Sequence, residues 1–153
     1  MKFSGELTVK APQATVYKAL RDARFFASCV GGVRDLEEIA PDRYAAVFET
    51  KVAYMKFSFK VHVEVVRAEE PRAIEVKVEG TPLGVVGRLT ATSTTTLSTA
   101  GDETRIEYSV DSALTGKLGS IGQPVLRAKA KDMERQFAAR LREAFAPHSA
   151  PSP

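Results

Sequence analysis

From Arg43 to Leu114, apolar and polar residues alternate through one strand-length run after another, and a single long amphipathic helix follows. A strand with this period of two buries one face only, so such runs in series define an antiparallel sheet with a wet side and a dry side. One helix has too few side chains to cover the whole concave side of a large curved sheet. The plan therefore tends to enclose an apolar hollow able to hold a small molecule.

The element boundaries follow from the pattern. Phe3, Gly5, Leu7 and Val9 share one face of a first strand over Lys2 to Val9, which Ala11 and Pro12 end. Pro12, at a first helical position, opens a short helix over Pro12 to Arg21 with Val16, Ala19 and Leu20 as its stripe, and a second short helix covers Arg24 to Cys29. Gly31 and Gly32 turn the chain into a strand over Val33 to Ile39, and Ala40, Pro41 and Asp42 reverse it. Inner-facing sets then succeed one another. The first is Tyr44, Ala46, Phe48, Thr50 and Val52, followed by Phe57, Phe59, Val61, Val63 and Val65, and then Ile74, Val76 and Val78. After a turn over Thr81 to Gly84 come Leu89, Ala91, Ser93, Thr95 and Leu97, backed by an outer row of threonines at 90, 92, 94 and 96, and finally Ile106, Tyr108, Val110, Ser112 and Leu114. The last helix runs from about Gln123 to Ala146, where Leu126, Ala130, Met133, Phe137, Leu141 and Ala144 form one stripe and Pro147 stops it.

The expected fold class is α+β, a seven-stranded curved antiparallel sheet wrapped around a long C-terminal helix, with two short helices after the first strand. A single domain spans residues 1–146, and residues 147–153 form a disordered, Pro-rich tail. At 153 residues the chain is long enough to bury a sizeable core without staples. The lone Cys29 has no internal disulfide partner, the N-terminus lacks a basic segment followed by an apolar run, and no stretch is long enough for a membrane span. These features point to a cytoplasmic protein whose contact with a bilayer, if any, is peripheral, at the inner face of the membrane. With 22 basic and 19 acidic residues, a formal charge of +3 argues against nucleic acid as a partner.

Groups able to perform chemistry are scarce. His62 falls on the polar face of its strand and His148 in the tail; Cys29 has no nearby histidine to activate it and reads as a small buried apolar residue. One cysteine and two histidines on unrelated segments argue against a zinc or iron site. Glu64, Glu75, Glu79, Glu107 and Asp111 fall on outer faces, and a one-residue slip that turned them inward would expose Ile106, Tyr108 and Val110. The candidate ligand-binding residues are therefore the inner positions Phe57, Phe59, Val61, Ile74, Val76, Val78, Leu89, Ala91, Ser93, Tyr108 and Val110, with Met133 and Phe137 from the helix. Small residues such as Ala91 and Ser93 withdraw volume where a packed core needs bulk, and Tyr108 and Ser93 supply polar groups able to orient a guest. The expected cavity is roughly 300 to 1,000 Å³. Phe25 and Phe26, beside the double glycine, are either gate residues or a packing plug. Lys117, Arg127, Lys129, Lys131, Arg135, Arg140 and Arg142 give the last helix a basic surface, either solvated or facing anionic lipid or an acidic partner.

The order of elements resembles the helix-grip superfamily (START, Bet v1-like). Within it, Met1 to Gly5, Ala11 and Pro12, Cys29 to Val33, Leu114 to Gly119, Gly122, and Gln136 with Phe137 resemble the CoxG family, that of the carbon monoxide dehydrogenase G subunit, over residues 1 to about 145. Two positions depart from that family's pattern. It usually places Pro where this chain has Gly31, and its glycine-containing turn near residue 54 is replaced by Ala53, Tyr54 and Met55. The resemblance implies a small, cofactor-free accessory protein that holds an apolar ligand and helps a molybdenum-containing dehydrogenase reach the membrane or its quinone acceptor; the expected guest is a quinone-, isoprenoid- or lipid-like molecule. Two rival readings are a cyclase or hydrolase, which requires a buried acid or histidine facing the pocket, and an interaction module with a collapsed core.

Overall fold

The computed structural model describes residues 1–146, so His148 and the expected tail lie outside the described residues. The alternating runs become strands β1 (Lys2–Val9), β2 (Val33–Ala40), β3 (Arg43–Val52), β4 (Met55–Glu69), β5 (Ala73–Pro82), β6 (Gly87–Ala100) and β7 (Glu103–Gly116). They form one antiparallel sheet in the order β1-β7-β6-β5-β4-β3-β2. Strands β2 to β7 follow one another as hairpins, leaving β1 and β2 as the two edges. Helices α1 (Gln13–Arg21) and α2 (Ala23–Val30) connect those edges, and α3 (Gln123–Ala144) completes the α+β architecture.

Several boundaries differ from those expected, each for a local reason. Pro12 caps α1 instead of occupying its first turn, because its backbone is extended (ψ 148°). Asp22 starts α2 one residue early by accepting hydrogen bonds from the Arg24 and Phe25 amides at 3.0 and 3.2 Å. Thr81 and Pro82 belong to β5, so the turn moves on to residues 83–86. A 3-10 turn (Lys117–Ser120), which has no signal in the apolar pattern, precedes α3, and α3 ends at Ala144.

The conspicuous glycines have steric explanations. Gly87 and Gly116 face each other across β6 and β7, and a Cβ on Gly116 would come within 2.7 Å of the Gly87 Cα. That close approach lets the Lys117 amide donate to the Val86 carbonyl (2.9 Å) and folds the 3-10 turn inward, where Leu118 is almost completely buried. Gly31 has φ +78°, a backbone that proline cannot adopt, while the Arg140 guanidinium beside it donates to the Cys29 carbonyl at 3.1 Å.

The interior is divided. One cluster joins the two short helices to the far ends of β5, β6 and β7 and to the C-terminal turns of α3, and includes Leu7, Val16, Tyr17, Ile74, Ile106 and Leu141. A second gathers Val52, Phe57, Phe59, Val61 and Leu118, with Phe48 and Leu89 packed on it. Between them runs the cross-strand row Val63, Val78, Ala91 and Ser112, all only half-buried. Of the expected α3 stripe, Leu141 alone is fully buried; Leu126, Ala130, Met133 and Phe137 are half-buried. Ala144 is exposed, and Phe145 packs in its place.

Candidate functional site

Two neighbouring rows of the sheet create an apolar cavity. Strand register aligns Ile74, Thr95, Tyr108 and Gly5 in one row, and Val76, Ser93, Val110 and Phe3 in the next. Because Ser93 and Thr95 are small, the floor recedes beneath α3 instead of rising to meet it. Ala130, Met133 and Phe137 of α3 form the roof, Phe3, Leu7 and Ile106 extend the floor, and Leu20, Phe26 and Val30 of the short helices close one side. The cavity's volume is about 230 Å³.

Of the residues expected from the sequence, Ile74, Ser93, Tyr108, Val110, Met133 and Phe137 border this space, as does the gate candidate Phe26. The others lie elsewhere. Phe57, Phe59, Val61 and Leu89 belong to the second cluster, where the Phe57 and Phe59 rings stack with centroids 6.2 Å apart, and Phe59 also stacks on Phe48 at 6.3 Å. Val76 stands beside Ser93 in the second row but packs against the first cluster without bordering the space, and Val78 pairs with Ala91 farther along the sheet, in the row between the clusters. Phe25 packs edge-on against Phe145 at 6.2 Å, which is a core role, whereas Phe26 is 44% exposed and touches Phe137 at 5.1 Å at the cavity's rim. The hollow is smaller than expected because these phenylalanines fill the other half of the arch.

Pattern reading misses Glu134. Its charge places it on the solvated face, yet it lies four residues after Ala130 and three before Phe137, within the same helical stripe. Glu134 borders the cavity, and its Oε2 accepts a hydrogen bond from the Tyr108 hydroxyl. Burial, the hydrogen bond to Glu134 and the negative charge there all push the Tyr108 phenol well above its ordinary value near 10.

The other titratable candidates stay out of this space. His62 and Glu107 are exposed on outer faces, as their strand positions require. Cys29 is buried, and loss of solvation pushes its thiol up, which disfavours the nucleophilic thiolate. Among the described residues, no group of three or more His, Cys, Asp or Glu side chains is placed to hold a metal ion.

A curved sheet gripping a C-terminal helix over an apolar cavity defines a fold of the helix-grip, Bet v1-like class. The chain belongs to the CoxG family, that of the carbon monoxide dehydrogenase G subunit, whose family model matches residues 5–146. Among solved structures it is similar to a conserved protein from Geobacillus kaustophilus (24% identity, TM-score 0.86, 95% of each chain covered). It also shares its fold with the Zhui aromatase/cyclase from Streptomyces sp. R1128 (14% identity, TM-score 0.68, 94% of this chain and 92% of that one). Ara h 8.0201 is a further fold neighbour (14% identity, TM-score 0.66, 95% and 97%). No curated protein matches the chain.

Proposed function

We propose that this protein carries an apolar small molecule, of quinone-, isoprenoid- or lipid-like type, in the cavity beneath α3. It acts as an accessory protein without chemistry of its own and assists a molybdenum-containing dehydrogenase at the membrane. The observation that carries this reading is the cavity itself, walled mostly by aliphatic and aromatic side chains with a few polar groups to orient a guest. An engineered apolar cavity of roughly 150 Å³ takes up benzene. A space of about 230 Å³ therefore fits a substituted single ring or a branched isoprenoid unit, with any longer tail leaving through the rim at Phe26. The dehydrogenase partnership is supported by family membership.

Peripheral contact with an anionic membrane is supported by the end of the sheet beside the start of α3, where part of the helix's basic surface meets exposed apolar side chains. Tyr54, Met55, Leu83, Val86 and Val125 stand exposed at one end of the sheet, on the β3–β4 turn, the β5–β6 turn and the first turn of α3. Lys51, Lys56, Lys117 and Lys129 border them. Apolar side chains ringed by lysines suit an interface where the former insert and the latter meet lipid phosphates. Among the described residues no helix is long and apolar enough to cross a membrane.

A cyclase-type reading has less support. The cyclase reading requires a buried acid or histidine facing the pocket, and the acid that borders it, Glu134, is exposed. Native mass spectrometry of the protein purified from its own host tests the carrier reading. The expected spectrum shows an added apolar compound; bare protein, with no guest recovered by solvent extraction, contradicts it.

A further inference from the structure

We propose that the cavity selects a neutral apolar molecule bearing a hydroxyl group, and that Glu134 accepts the hydrogen bond of that hydroxyl. The inference rests on the carrier reading above and specifies the guest it takes.

A tyrosine hydroxyl has a single hydrogen, and Tyr108 commits its own to Glu134 Oε2. What remains at this corner of the cavity is acceptor-only, namely the lone pairs of the phenol oxygen and of the carboxylate. A guest's ether or carbonyl oxygen finds no donor there, and a carboxylate guest meets like charge. A hydroxyl, by contrast, donates a charge-assisted hydrogen bond, which is about twice as strong as a neutral one. Ser93 and Thr95 border the same space, but their hydroxyls donate or accept equally and so discriminate little.

The corner is held in place from both sides. Tyr108 stands opposite Gly5 in the β1–β7 ladder, and the missing side chain at position 5 leaves room for the phenol to reach the carboxylate. Met133 and Phe137 flank Glu134 along α3 and keep the surroundings apolar. Phenols, isoprenoid alcohols and reduced quinones share the required chemistry; fatty acids do not.

Calorimetric titration of the full chain with para-hexylphenol, para-hexylanisole and para-hexylbenzoate, at neutral pH and with Glu134→Gln alongside, tests this. The wild type is expected to bind the phenol about tenfold more tightly than the anisole, with the benzoate weakest. In Glu134→Gln the phenol preference falls to within about twofold and the benzoate gains affinity. Glu134 is exposed, so the variant keeps its fold, which circular dichroism verifies. Equal affinity of the wild type for phenol and anisole overturns hydroxyl selection while the carrier reading stands. A preference that survives in Glu134→Gln overturns the role of Glu134. Absence of binding by all three probes overturns the carrier reading and this inference together.

Discussion

Gly5 lies directly across the β1–β7 ladder from Tyr108, and a Cβ at position 5 would come within 2.8 Å of the Tyr108 Cζ and 3.0 Å of Glu134 Oε2. A single absent methyl group thus lets the sheet and α3 join through a tyrosine and a glutamate. Gly5→Ala is expected to push the phenol aside and to destabilise the protein by about 1 to 3 kcal/mol, measured by denaturant unfolding. In a Tyr108→Phe background the nearest atom is gone, so the same substitution costs less. Equal costs in the two backgrounds would show that the pair is uncoupled.

Tyrosine ionisation supplies a second test. Burial is the main cause holding both Tyr108 and Tyr17 above the ordinary value near 10. A raised folded-state value means that the native state keeps its proton while the unfolded chain releases it. The stabilisation is therefore complete below about pH 10 and is lost as pH climbs beyond it. An alkaline titration of tyrosinate absorbance should show a late-ionising component that shrinks in Tyr108→Phe. An unchanged late component in that variant contradicts the assignment.

The two ends of the interior should respond separately to truncation. Leu118 anchors the second cluster at 1% exposure, and Leu141 anchors the first at 0%. Leu118→Ala and Leu141→Ala should each cost about 2 to 5 kcal/mol in chemical denaturation. Because the half-buried row through Val78 and Ala91 separates the clusters, the double variant should be additive to within about 0.5 kcal/mol. Strong coupling between the two would indicate one continuous core.

Pattern alone locates every strand and, away from the bulges in β2 and β4, the side of the sheet that a residue faces, because a period of two fixes the face once one side is buried. It does not show how the inner residues divide along the strand axis. Phe57 and Tyr108 read alike in the sequence, yet register places one in a stacked aromatic plug and the other at a cavity wall. Glu134 is hidden by the opposite difficulty, a charged residue at an inward helical position whose partner, Tyr108, is 26 residues away in the chain. The motif from Leu114 to Gly119 is visible, but its purpose is not, since the close approach of Gly116 to Gly87 depends on a hairpin partner. Ala53 is another such case. It holds φ +55° where glycine is the usual occupant, and carries the fully exposed Tyr54 beside it.

That exposed hairpin tip can be tested directly against lipid. Co-sedimentation with vesicles containing anionic phospholipid should be lost in Tyr54→Ser with Val86→Ser, and should weaken as salt rises. Vesicles of neutral lipid should retain less protein. Equal retention of wild type and double variant would contradict docking through this end.

The most direct test is a fluorescence titration of the wild type and Ser93→Phe with an apolar probe whose emission rises on burial. Ser93 lies on the cavity floor, so a benzyl group there occupies the void while the wet face of the sheet is untouched. The expected result is saturable binding at one site in the wild type, abolished in a Ser93→Phe protein whose circular dichroism is unchanged. Identical titrations for the two proteins, or no saturable binding by the wild type, would contradict a guest held beneath α3.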